Sequence, residues 1–107
     1  MTTFDKREDG FEKAYAMDEE IRFKALARRN KLLGLWAAEK LGLGEDESQA
    51  YAKEVVVADL EEHGDEDVFR KIRGDFDAKG VTVSDHQIRR TMDELLAQAV
   101  IAIRTAQ

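Results

Sequence analysis

Residues 18–42 read DEEIRFKALARRNKLLGLWAAEKLG, and this stretch decides the fold class. It predicts one long helix from about Asp18 to Leu41, because no proline interrupts it and Gly42 suits the left-handed conformation in which helices often end. Its apolar residues form a stripe that is too wide for one neighbouring helix. They are Ile21, Ala25, Leu26, Leu32, Leu33, Trp36, Ala37 and Leu41. We therefore expect this helix to pack against more than one other helix.

Two shorter helices are predicted after it. The first runs from about Glu45 to His63, where Gly64 stops it, and the second is capped by Asp65 and ends at Gly80. The buried side of the first is expected to contain Tyr51, Val55, Val56 and Ala58. The second has a helical face with apolar residues spaced by one, three and four positions, namely Val68, Phe69, Ile72 and Phe76.

The sequence Ser84-Asp85-His86-Gln87 fits a capping box and predicts the start of the last helix. It should run nearly to the C-terminus, and its apolar face contains Ile88, Met92, Leu95, Leu96, Ala99 and Ile103. The links between the helices are short, so neighbouring helices should be antiparallel or sharply angled. The sequence thus predicts an all-α fold, with a four-helix bundle over residues 18–107.

Residues 1–17 form a separate N-terminal arm. Phe4, Phe11 and Tyr15 would share one helical face, but Gly10 weakens the helix and so short a helix is marginal in water. The arm is therefore marginally helical and could be mobile. Two interpretations are open: a terminus that docks on its own bundle or frays, and a segment that orders in the groove of a partner protein.

Composition limits the classes of function. A chain of 107 residues fits one domain, and the absence of cysteine fits a reducing cytoplasm. The net charge of −6 argues against general nucleic-acid binding, and no run of residues is apolar enough for a membrane span. Residues 21–41 hold six basic and one acidic residue, whereas residues 42–64 hold one basic and seven acidic. Alternating charge of this kind predicts helices that attract each other across the bundle.

No pattern of catalytic residues is present, so we expect a protein that is not an enzyme and needs no cofactor. The acidic cluster around residues 61–67 lacks the spacing of a calcium loop, and neither His63 nor His86 has partners that would complete a metal site. A candidate anion site consists of Arg28, Arg29, Arg89 and Arg90. It requires the first and last helices to be adjacent, and pairing of these arginines with the acidic second helix is the favoured alternative.

Five stretches, taken in order, resemble one protein family. They are Thr3-Phe4-Asp5-Lys6-Arg7-Glu8, residues 27–38 (ARRNKLLGLWAA), residues 50–56 (AYAKEVV), residues 64–73 (GDEDVFRKIR) and residues 85–96 (DHQIRRTMDELL). In these stretches the chain resembles the ATPase inhibitor (zeta) subunit of alphaproteobacterial F-type ATP synthases, in register over essentially its whole length.

This resemblance implies a four-helix protein whose N-terminal segment enters a catalytic interface of the synthase head and blocks rotation in the direction of ATP hydrolysis. The partner would be the nucleotide-binding subunits and the rotor shaft, with the protein cytoplasmic, peripheral to the membrane-bound synthase, without direct membrane insertion, and monomeric when free. The expected partner-binding residues are Phe4, Asp5, Lys6, Arg7, Glu8, Phe11 and Tyr15. A helical small-anion or nucleotide-binding protein and a general adaptor bundle are the alternative functions.

Overall fold

The computed structural model describes residues 19–61 and 64–106. Within this part the chain forms four helices: α1 spans Glu19–Leu41, α2 spans Glu45–Glu61, α3 spans Asp65–Lys79 and α4 spans Asp85–Ala106. The all-α, four-helix prediction is confirmed. The arm of residues 1–17 and the expected helix bounds at Asp18 and His63 lie outside the described residues.

The first helix, α1, is the centre of the bundle. It packs most extensively against α2 and α4 and also contacts α3, which confirms that its wide apolar stripe serves several neighbours. Ala25, Leu33 and Ala37 are fully buried along it. The basic α1 therefore lies beside the acidic α2, as the alternating charges predict.

A close approach of α1 and α2 occurs at Gly34. A β-carbon added at this residue would lie 2.6 Å from the Cα atom of Ala52 and 3.3 Å from Cγ2 of Val55. The side chain of Asn30, one turn earlier in α1, donates a hydrogen bond to Asp59, nearly two turns later in α2. The contact partner of an earlier residue in α1 is thus a later residue in α2, so the two helices are antiparallel.

The core joins the buried face of α3 to the other three helices. All four apolar residues predicted for that face are buried, and the ring of Phe76 lies edge-on to Trp36 with 5.7 Å between ring centroids. The prediction for α2 is only partly right. Tyr51 and Val55 are buried, but Val56 and Ala58 are half-buried, and Ala52 is buried instead. The reason is the close contact with Gly34, which turns the Ala52 side of α2 toward α1.

The helix ends follow simple backbone chemistry. Gly42 has a φ angle of 76°, in the left-handed region that the sequence predicts for it, and Gly80, which the sequence predicts as the end of α3, has a φ angle of 71° in the same region. The Ser84 Oγ atom accepts a hydrogen bond from the Gln87 amide at 3.1 Å, which confirms the first half of the capping box. None of the helices in the described part combines the length and the apolar character that crossing a bilayer requires.

Candidate functional site

A buried arginine joins three helices at one end of the bundle. The side chain of Arg29, in α1, is fully buried, because this residue lies one turn after Ala25 and one turn before Leu33 on the core face. Its Nε atom donates to the Asn30 side-chain oxygen at 2.8 Å, and its Nη2 atom donates to a carboxylate oxygen of Asp65 at 2.8 Å. With the bond from Asn30 to Asp59, these contacts tie α1 to the end of α2 and to the start of α3.

Asp65 has a different role from the predicted one. Gly64 occupies the N-cap position of α3, and no side chain caps the helix there, so the prediction that Asp65 caps α3 is wrong. Its carboxylate accepts from Arg29 instead, since a fully buried guanidinium requires a charged acceptor. As a residue of the first turn, Asp65 still places negative charge where the helix dipole favours it.

A second arginine reaches the same end of α3 from α4. The guanidinium of Arg89 forms an ion pair with Glu66 at 2.8 Å and lies 3.9 Å from the ring centroid of Phe69. Stacking over an aromatic face adds a cation–π attraction to the ion pair. The start of α3 is therefore held from one side by Arg29 and from another by Arg89.

The four arginines of the predicted anion site have different surroundings. The condition for that site is met, because α1 and α4 are adjacent. Arg28 is exposed, however, and Arg90 pairs with Glu94 of its own helix at 2.8 Å. Arg29 and Arg89 thus pair with carboxylates of α3 and Arg90 pairs within α4, so the expected pairing of these three arginines with α2 is wrong. An anion site at these residues stays a prediction.

The other charged groups hold helices together. The Tyr51 hydroxyl donates to Asp75 at 2.7 Å, and burial together with this hydrogen bond raises the pKa of Tyr51. The hydrogen bond to Asp85 raises the pKa of Arg73, whose guanidinium also donates to the backbone carbonyl of Val83. Within residues 19–61 and 64–106 no three His, Cys, Asp or Glu side chains are grouped closely enough to hold a metal ion.

Three large apolar side chains of α1 and α2 are exposed. Phe23 is 62% exposed, Leu60 is 53% exposed and Val57 is 48% exposed. Two exposed lysines, Lys31 and Lys53, lie further along the same two helices, and within the described part no ion pair involves either of them. Another exposed apolar residue, Ile101, lies on α4, at a position where it points away from the buried Ala99 face.

The predicted partner-binding residues belong to the arm, which lies outside the described residues. Their role therefore stays a prediction. Sequence reasoning named Arg29 only as part of the candidate anion site, and it did not single out Asn30 or the exposed Phe23, Val57 and Leu60. The spacing of Ala25, Arg29 and Leu33 is the signal that places Arg29 in the core, because residues four apart share a helix face.

Comparisons with known proteins support one family. A family model described as ATPase inhibitor subunit zeta matches residues 1–102. Among solved structures, a chain determined in solution by NMR is 48% identical, has a TM-score of 0.70, and aligns over 81% of this chain and 99% of that chain. A search of curated proteins finds no match.

Proposed function

This chain belongs to the ATPase inhibitor subunit zeta family, and from that premise we propose that it inhibits ATP hydrolysis by inserting its N-terminal arm into a catalytic interface of the F-type ATP synthase head. The family makes the chain a regulatory subunit with an ATP synthase as its partner. The proposal adds the segment that enters the synthase and the way in which it stops rotation.

One observation carries the proposal: the family match begins at residue 1 and includes the whole arm. The arm is thus a part of the family domain and not an appendage to it. The buried core residues of the described bundle all lie in the four helices or in the α3–α4 link, so a compact body is available to remain outside the synthase while the arm enters it.

The chemistry of the arm suits insertion between subunits. Phe4, Phe11 and Tyr15 supply three aromatic anchors, the residue type that often dominates the energetics of protein interfaces. The marginal helix becomes ordered on binding, and this ordering lowers the net affinity relative to a rigid helix. The charged run Asp5-Lys6-Arg7-Glu8-Asp9 would fix register and direction in the interface.

The test is ATP hydrolysis by a purified alphaproteobacterial synthase head from which the native inhibitor has been removed. We expect dose-dependent inhibition by the full chain and none by a chain that lacks residues 1–17. Replacing Phe11 by alanine should raise the half-inhibitory protein concentration about 10- to 30-fold, the effect of losing roughly 1.4–2 kcal/mol from one aromatic anchor.

A matched control is Ile101→Ala, which removes an exposed apolar side chain from the outer side of α4. It should inhibit as the unmodified chain does. Full inhibition by the chain without residues 1–17 would refute insertion of the arm, and equal weakening by Phe11→Ala and Ile101→Ala would refute the anchor role of Phe11.

A further inference from the structure

We propose that the outward face of α2 is a docking surface for an amphipathic helix of a partner protein, one whose apolar seam is bordered by lysine and arginine residues. The inference is independent of where the N-terminal arm binds. It rests on three properties of α2: the exposure of one stripe of its side chains, the spacing of the residues in that stripe, and the charge along its edge.

One side of α2 points away from the other described helices. The opposite side carries Tyr51, Ala52 and Val55, which are buried through contacts with α1 and α3. Val57 lies two residues after Val55, about half a turn round the helix, and it is 48% exposed. Leu60, one turn further on the same side, is 53% exposed. The two side chains therefore form an apolar surface that α1, α3 and α4 leave uncovered.

This surface belongs to a stripe that runs along α2 from its first turn to its last. The residues of the α2 stripe recur at spacings of four, three, four and three, and all are exposed: Asp46, Ala50, Lys53, Val57 and Leu60. From first to last they span about 21 Å. The aliphatic stem of Lys53 continues the apolar surface between Ala50 and Val57. A mean spacing of 3.5 residues is that of the seam between two paired helices, so a second helix fits this face.

An acidic edge borders the α2 stripe on one side. Glu47 and Glu54 are seven residues apart, so they lie in one row along the helix, and both are exposed. Glu54 contacts Lys71 of α3 at 3.4 Å, but Lys71 also pairs with Asp75 at 3.2 Å, and 62% of the Glu54 side chain is exposed. Charges beside the seam select the partner of a paired helix, so this edge favours lysine and arginine on the partner.

The same charges disfavour a second copy of this chain as the occupant. The sequence of α2 contains six acidic residues and one lysine. Two such helices packed face to face would bring like charges together, which specific interfaces avoid. A helix pair about 21 Å long also makes a small interface. We therefore expect the contact with a basic partner helix to be transient and to weaken as the salt concentration rises.

Chemical-shift titration of the full-length, isotope-labelled protein tests the docking surface. The probe is a synthetic helical peptide of about three heptads, with leucine along the seam and lysine beside it, used below the concentration at which it self-associates. We expect saturable shifts of the backbone amides of Ala50, Lys53, Val57 and Leu60, and none at Ile101 on the outer side of α4. A peptide with the same seam and glutamate beside it should bind about tenfold more weakly or worse.

Two variants of the protein test the apolar part of the surface. The double variant Val57→Ser, Leu60→Ser changes only exposed residues, so it should keep the circular dichroism spectrum of the unmodified chain. It should bind the lysine-edged peptide about tenfold more weakly or worse, because two apolar contacts are lost. The matched control Ile101→Ser removes an exposed apolar side chain from another helix and should bind as the unmodified chain does.

The contrary outcomes each overturn the proposal. Absence of saturable shifts in the α2 stripe would refute docking there, and equal affinity for the two peptides would refute selection by the acidic edge. Unchanged affinity in the double variant would indicate general charge attraction. Shifts in the stripe that depend on the concentration of the protein itself would identify a second copy as the occupant, and shifts there on deletion of residues 1–17 would identify the arm.

Discussion

Replacing Gly34 by alanine should destabilise the bundle, although alanine is the better helix former. The new β-carbon would lie 2.6 Å from the Ala52 Cα atom and 3.1 Å from its Cβ atom, and ordinary van der Waals contact begins at 3.4 Å. A backbone atom cannot rotate aside, so α1 and α2 must move apart where they cross. Forcing extra volume into a packed interface costs about 1–3 kcal/mol, and this contact belongs at the upper end of that range.

The helix propensity of alanine offsets about 1 kcal/mol of this loss. We therefore expect Gly34→Ala to lower the free energy of unfolding by about 1–2 kcal/mol. For a domain of this size that change lowers Tm by roughly 5–15 °C. Thermal and urea unfolding followed by far-ultraviolet circular dichroism would measure it.

Gly74 provides the matched control within the same chain. It also lies in the interior of a helix, and an added β-carbon there would meet no atom within 4 Å. Gly74→Ala should therefore raise the free energy of unfolding by about 1 kcal/mol. If the two variants changed stability by the same amount, the close approach of α1 and α2 at Gly34 would be refuted as a source of strain.

Four other substitutions test the polar contacts. Asp65→Ala should lower the free energy of unfolding, measured in urea, by about 2 kcal/mol, because it leaves the buried Arg29 without its charged acceptor. Arg29→Met should lower it by less, and the reverse order would contradict this prediction. Because the pKa of Tyr51 is raised in the folded state, its stabilising contribution should be complete below the unfolded tyrosine pKa of about 10 and be lost as the pH rises above that value. The free energy of unfolding should therefore fall less steeply with pH above about pH 10 in Tyr51→Phe than in the unmodified chain. Equal slopes in the two proteins would contradict this prediction. Ser84→Ala should cost about 1 kcal/mol by removing the cap of α4, and no loss in thermal unfolding would argue against that cap.

The fold could be predicted because its signals are local. Apolar spacing and helix-ending glycines act within a few residues, and they identify all four helices and the whole buried face of α3. The contacts that depend on two helices at once could not be read in the same way. The small side chain of Ala52 gives no sign of burial until Gly34 is known to lie against it.

The charged residues show even more clearly that contacts between helices cannot be predicted from a local sequence pattern. The run Arg28-Arg29-Asn30-Lys31 looks like one basic surface, but the helix separates its members. Arg29 and Asn30 enter the core, whereas Arg28 and Lys31 stay exposed. Helical phase was sufficient to predict this separation, but the carboxylate that compensates Arg29 lies 36 residues away in the chain, and no local pattern identifies it.

The edge-on contact between Trp36 and Phe76 has a practical consequence. Trp36 is the only tryptophan of the chain, so all indole fluorescence comes from one place, between α1 and α3. Emission should therefore change when α3 separates from α1. The molecule thus contains an optical reporter for the opening of its core.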